Sequence, residues 1–189
     1  MPGIAEHCTE TELVSRILGI GDDDFLVGSV LPDVMSGDKD TTHFRKTRAF
    51  YLVPSVTAAN KGLKLAGGLK KGCLNHFLFD KHTSDAQVPR LRRVGGENLF
   101  SSGKVYEDYT RMNYRLLEFF GIDKEKWNKV LKHTQHCGVP IDAESHRRIV
   151  ESFNMPLVKD EPVYYDFKKY CDFIVDMSFK VAEDLEKLM

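Results

Sequence analysis

Apolar residues recur along this chain at three- and four-residue steps, the interval at which one face of an α-helix is buried. Thr9-Glu10-Thr11-Glu12 has the spacing of a capping box, with Leu13, Val14, Ile17 and Leu18 as the apolar face and Gly19 as the stop. That reading puts His7 at the mouth of the first helix. Asp22 to Asp24 predict the cap of a second helix through Phe25, Leu26, Val30 and Leu31, which Pro32 ends or distorts, so that Asp33 emerges on a turn. The polar, acidic stretch from Ser36 to Thr42 reads as a loop delivering His43. Phe50 to Val53 is compatible with a short strand or a buried helical turn, and helix is preferred. Pro54-Ser55 then offers the start of a long central helix. On that helix Leu65, Leu69 and Cys73 form a stripe that runs into His76 and Asp80. The polar, glycine-containing residues 82–104, with Arg90, Arg92, Arg93 and Gly95-Gly96, predict a long loop or lid.

Helical spacing resumes at Val105, Tyr109, Met112, Leu116 and Phe119, and Gly121 closes that helix. Asp123 caps the next, with Ile122 and Trp127 spaced as a hydrophobic staple and Val130 and Leu131 continuing the buried side until Gly138 and Pro140. Asp142 caps a helix through Ile149, Val150 and Phe153, followed by a connector containing Pro156. Pro162 opens a last amphipathic helix carrying Val163, Phe167, Tyr170, Ile174, Met177, Val181 and Leu185. Neither a repeat nor a domain linker interrupts the pattern. The prediction is an all-α, single-domain, multi-helix bundle over residues 1–189.

Composition narrows the function classes. The 189 residues include 42% hydrophobic and 29% charged residues, ordinary for a globular domain with a sizeable core. A net charge of -1 supplies no global field for nucleic acid or an anionic membrane, so no nucleic-acid partner is expected. The four cysteines are widely spaced without a C-x-x-C, which argues against a zinc ribbon or a disulfide framework and for a reducing, cytoplasmic setting. No apolar run approaches the ~20 residues of a membrane span.

The candidate chemistry begins at His76 and Asp80, four residues apart on one inward helical face. Such a pair is either a buried hydrogen bond or two ligands of one metal ion. His7, Asp33 and His43 lie upstream and supply further nitrogen and carboxylate donors of the kind that suit zinc and also accept iron or manganese. In order and wording, these residues resemble the zinc-dependent phospholipase C family, whose all-α fold is shared with single-strand-specific zinc nucleases. The opening Met-Pro-Gly-Ile-Ala-Glu-His7 is similar to the family's N-terminal segment. Gly28-Ser-Val-Leu-Pro-Asp33 is similar to its G-x-x-x-P-D phrase, and His76-x-x-x-Asp80 to its helical H-x-x-x-D.

The resemblance implies one zinc held by Asp33, His43, His76 and Asp80, and a second begun by Asp80 and His7. The family's later ligands are not matched. Ala86 stands where a histidine follows, and no later H-x-x-x-E occurs, so one or two ions are implied rather than three. The function implied is hydrolysis of a small phosphorylated substrate, a phosphodiester first, by metal-activated water, with Asp33 as ligand, general base or both. Two alternatives remain. One is a non-catalytic, metal-stabilised helical binding or assembly protein. The other is an HD-type phosphohydrolase, although the chain has no adjacent His-Asp pair. His82, His133 and His136 are read as solvated histidines, and the Arg90 to Arg93 cluster as a solvated basic loop.

Overall fold

The computed structural model describes residues 3–37, 65–96, 98–99 and 103–189. Among them the structure is helical, as the spacing predicts: α1 (Ile4–Leu18), α2 (Asp23–Val34), α3 (Gly67–Gly95), α4 (Lys104–Phe119), α5 (Lys124–His133), a 3-10 turn (Thr134–His136), α6 (Ala143–Asn154) and α7 (Phe167–Leu188). One isolated antiparallel bridge, Met35 to Ile141, ties the end of α2 to the start of α6. It is flanked by the Ser36 amide donating to the Pro140 carbonyl and the Asp142 amide to the Val34 carbonyl, both at 2.9 Å.

Several ends differ from the sequence reading. Helix α1 starts at Ile4, because the Glu6 carboxylate accepts from the Gly3 amide at 3.0 Å. Thr9 to Glu12 therefore sit inside the helix, and His7 lies in its first turn rather than before it. Pro32 does not end α2. The Met35 amide, three residues beyond it, still reaches the Leu31 carbonyl at 3.0 Å, so Asp33 is on the last helical turn and not in a loop. Helix α3 begins at Gly67, after an extended Ala66, while Pro54, the expected start, and Phe50 to Val53 lie outside the described residues. Residues 82–104, expected as a loop or lid, are helical up to Gly95 and again from Lys104. Thr83, Gln87 and Leu91 carry the buried stripe of His76 and Asp80 onward at three- and four-residue steps. Helix α7 begins at Phe167, where the Asp166 carboxylate accepts from the Lys169 amide, and Val163 is exposed. Asp123 and Asp142 cap α5 and α6 as predicted.

Helices α2 and α3 form the most extensive interface. Glycine makes it possible. A Cβ on Gly28 would stand 2.3 Å from the Leu69 carbonyl oxygen, and one on Gly72 would stand 2.1 Å from that of Phe25, so the two backbones touch. Around this crossing lies the larger core, with Phe25, Leu26, Leu31, Phe79, Trp127 and Leu131 fully buried. A second core joins Leu91 of α3 to Val105, Tyr109, Met112 and Leu116 of α4 and to Tyr170 and Ile174 of α7.

Candidate metal centre

The touching α2 and α3 backbones bring the Ser29 carbonyl against His76, whose Nδ1 donates to it at 2.8 Å. A carbonyl only accepts, so Nδ1 carries the proton, and in the neutral ring Nε2 keeps a lone pair. That nitrogen faces Asp80 Oδ2 at 3.7 Å, one helical turn onward. Opposite, α1 contributes His7, whose ring stacks on His76 with centroids 3.9 Å apart and planes 7° from parallel. His7 Nε2 lies 3.4 Å from Asp80 Oδ1. His7, His76 and Asp80 are all 1% exposed or less.

These separations suit a cation better than direct hydrogen bonds. Charge-assisted N–H···O bonds run to ~2.7–2.9 Å. Donors on one tetrahedral ion with ~2.0–2.1 Å bonds stand about 3.4 Å apart. His7 Nδ1 is buried without a hydrogen-bond partner among the described residues. Asp33, from the last turn of α2, completes a group in which single donor atoms of His7, Asp33 and His76 all lie within 4.8 Å of one another. These residues fit a metal ion: two imidazoles, one with its tautomer set by a backbone acceptor, and the Asp33 carboxylate, while Asp80 faces both Nε2 atoms without belonging to that group. His43, the remaining predicted ligand, lies outside the described residues.

Around the centre, burial disfavours the charged forms of the neighbouring acids. Glu10, fully buried, accepts from Asn75 Nδ2 at 2.7 Å, and burial holds its carboxyl well above the ordinary range. Burial likewise pushes Glu6 up to about 7 and keeps the Cys8 thiol well above its usual pKa, so Cys8 offers no thiolate. The four cysteines are free, as their spacing suggests.

Other sequence candidates lie elsewhere. His82 Nε2 is 3.0 Å from Asp184 Oδ2, a pair that clasps α3 to α7. His133 and His136 are exposed. Arg90 donates to Gln87 and the Tyr164 carbonyl and stacks over Tyr165, so it serves packing rather than a loop. The sequence reading gave no hint of an open cleft walled by Asp33, Ser145, Arg148, Ile149 and Ser152. The bridge and the packing of α2 against α6 bring that wall together, and no local pattern encodes it.

Fold and site together define an all-α protein with a buried His/Asp group that could hold a metal ion. No family model, curated protein or solved structure matches the chain. No helix among the described residues is long and apolar enough to cross a membrane.

Proposed function

We propose that this protein is a metal-dependent hydrolase of phosphate esters, phosphodiesters first, with zinc as its resident ion and His7, Asp33, His76 and Asp80 among its ligands. The supporting observation is the double position of Asp33, which belongs to the donor group and also walls an open cleft. Three donors are sealed in the core, while the fourth meets solvent, as a site that must admit water and substrate requires. A bound zinc lowers the pKa of its water to ~7 and neutralises charge on the phosphoryl oxygens. The chain's own residues do the rest. The Ser29 carbonyl holds the His76 ring, and the Asp33 carboxylate, at the edge of the cleft, takes a proton from the attacking water.

Elemental analysis of protein purified without added metal or a metal-binding tag is the first test. Near-stoichiometric zinc, followed by turnover of phosphodiesters or phosphomonoesters, is expected. No metal even after incubation with zinc overturns the reading. The burial of His7, His76 and Asp80 favours a second reading, a metal that only fastens α1 to α3. Asp33→Asn separates the two. In a hydrolase, turnover falls by about a hundredfold or more while the fold is kept. A structural staple shows no turnover to lose and drops its melting temperature with its metal.

A further inference from the structure

We infer that Glu10 and Asn75 are the positioning pair of the metal centre, a neutral carboxylic acid on α1 and an amide on α3 that exchange two hydrogen bonds and so hold the His7 ring on that of His76, an inference that rests on the metal-binding part of the reading above. Glu10 follows His7 by three residues on α1, and Asn75 immediately precedes His76 on α3, so each imidazole stands beside one member of the pair. Both members are fully buried.

The first bond runs from Asn75 Nδ2 to Glu10 Oε2 at 2.7 Å. Thr11, also buried, closes a triangle: its Oγ1 accepts from the same Nδ2 at 3.2 Å and donates to Oε2 at 3.4 Å. One oxygen is then left over on each partner. Glu10 Oε1 and Asn75 Oδ1 are buried, and neither meets a hydrogen-bond donor among the described residues. An ionised Glu10 would strand both, because a carboxylate and an amide oxygen only accept. A proton on Oε1 supplies the missing donor, and acid and amide then face each other through two antiparallel bonds, N–H to Oε2 and O–H to Oδ1. Burial, which holds the Glu10 carboxyl well above the ordinary range, favours that form.

Two parallel bonds fix orientation as well as distance. A slide or roll of α1 that broke them would also part the imidazoles, which stack at 3.9 Å with planes 7° from parallel. It would draw His7 Nε2 away from Asp80 Oδ1, now at 3.4 Å, and so disperse the donors before an ion could bind.

The test uses the full chain, with infrared difference spectra as the probe of the acid and cobalt(II) as the visible-spectrum probe of the site. In metal-free protein, well above the pH of about 7 to which Glu6 is raised, wild type minus Glu10→Gln should show the C=O band of a protonated carboxylic acid. Its absence overturns the inference, and this measurement holds even where other variants fail to fold. Asn75→Asp sets two acids against each other, so cobalt affinity falls about tenfold or more and the d–d band of the bound ion changes. The double variant Glu10→Gln/Asn75→Asp exchanges acid and amide while keeping both side-chain lengths, and it restores affinity and band together. A pair that only stabilised the fold would leave the band of the bound ion as in wild type. A double variant no better than Asn75→Asp, or an Asn75→Asp protein with wild-type affinity and band, overturns the inference. If the wild type takes up neither zinc nor cobalt, the metal reading fails with the positioning role, and the infrared band still decides whether the acid–amide pair exists.

Discussion

At the residue scale the centre depends on where the His76 proton sits. The Ser29 carbonyl fixes the His76 proton on Nδ1, and Asp80 lies between the Nε2 atoms of both imidazoles. Asp80→Asn keeps the volume and removes the charge that would hold a cation there. Zinc bound per chain should fall to near zero while the helical circular dichroism of the apo protein is retained; a variant that keeps stoichiometric zinc would show that Asp80 is not a ligand.

Glu6 makes a separate prediction. Burial raises its carboxyl from 4.5 to about 7, so the folded state holds a proton that the unfolded chain releases. The stability gained from the neutral form is complete below about pH 4.5 and is lost as pH rises through about 7. In metal-free protein, chemical denaturation should show wild-type stability declining across that window by about 3 kcal/mol relative to Glu6→Gln. Parallel pH profiles for the two proteins would refute the assignment.

At the element scale the decisive feature is the contact of α2 with α3. Gly28 and Gly72 let the two backbones meet, and that meeting delivers the Ser29 carbonyl to His76. A Cβ at Gly72 would overlap the Phe25 carbonyl, where neither backbone can yield without moving a helix. Gly72→Ala should lower stability by about 3 kcal/mol in urea unfolding and weaken zinc binding together with it. Wild-type stability with wild-type zinc affinity would show that the crossing does not position the site. The sequence pattern carried most of each helix but misplaced several ends. Asp108 shows why. It looks like an acid easing the dipole of α4, yet it is fully buried and accepts from the amides of Val163 and Tyr164 at 2.9 and 2.6 Å. It anchors the chain before α7, an interaction 55 residues distant that no local rule contains.

For the whole molecule, a metal shared by α1, α2 and α3 would couple binding to folding. An ion that binds only the folded chain, at a hundredfold excess over its dissociation constant, adds ~2.7 kcal/mol. For a chain of this size that raises the melting temperature by about 5–10 °C. Differential scanning calorimetry with zinc and then with excess chelator should show the rise and its reversal; a melting temperature indifferent to both would remove the ion from the fold. The larger core surrounds this junction, and the second core reaches it through Leu91 of α3 and Leu13 of α1. The response should therefore be a shift of one transition.

The sequence by itself determined the helical class, because a 3.6-residue period is a local property that any window of the chain displays. It also determined that His76 and Asp80 share a face, since four residues make about one turn. It singled out His7 and Asp33 as donors, and the structure brings both to His76. Three matters were left to the tertiary structure: the length of α3, the proton on His76 and the cleft beside Asp33. Helix α3 runs on because Thr83, Gln87 and Leu91 have partners to bury against, which a polar composition conceals. The His76 tautomer follows from a carbonyl on another helix. The cleft forms because a bridge 106 residues apart in sequence, from Met35 to Ile141, lays α6 beside the end of α2. Contacts between distant segments arise from packing of the whole chain, and a local pattern holds no record of them.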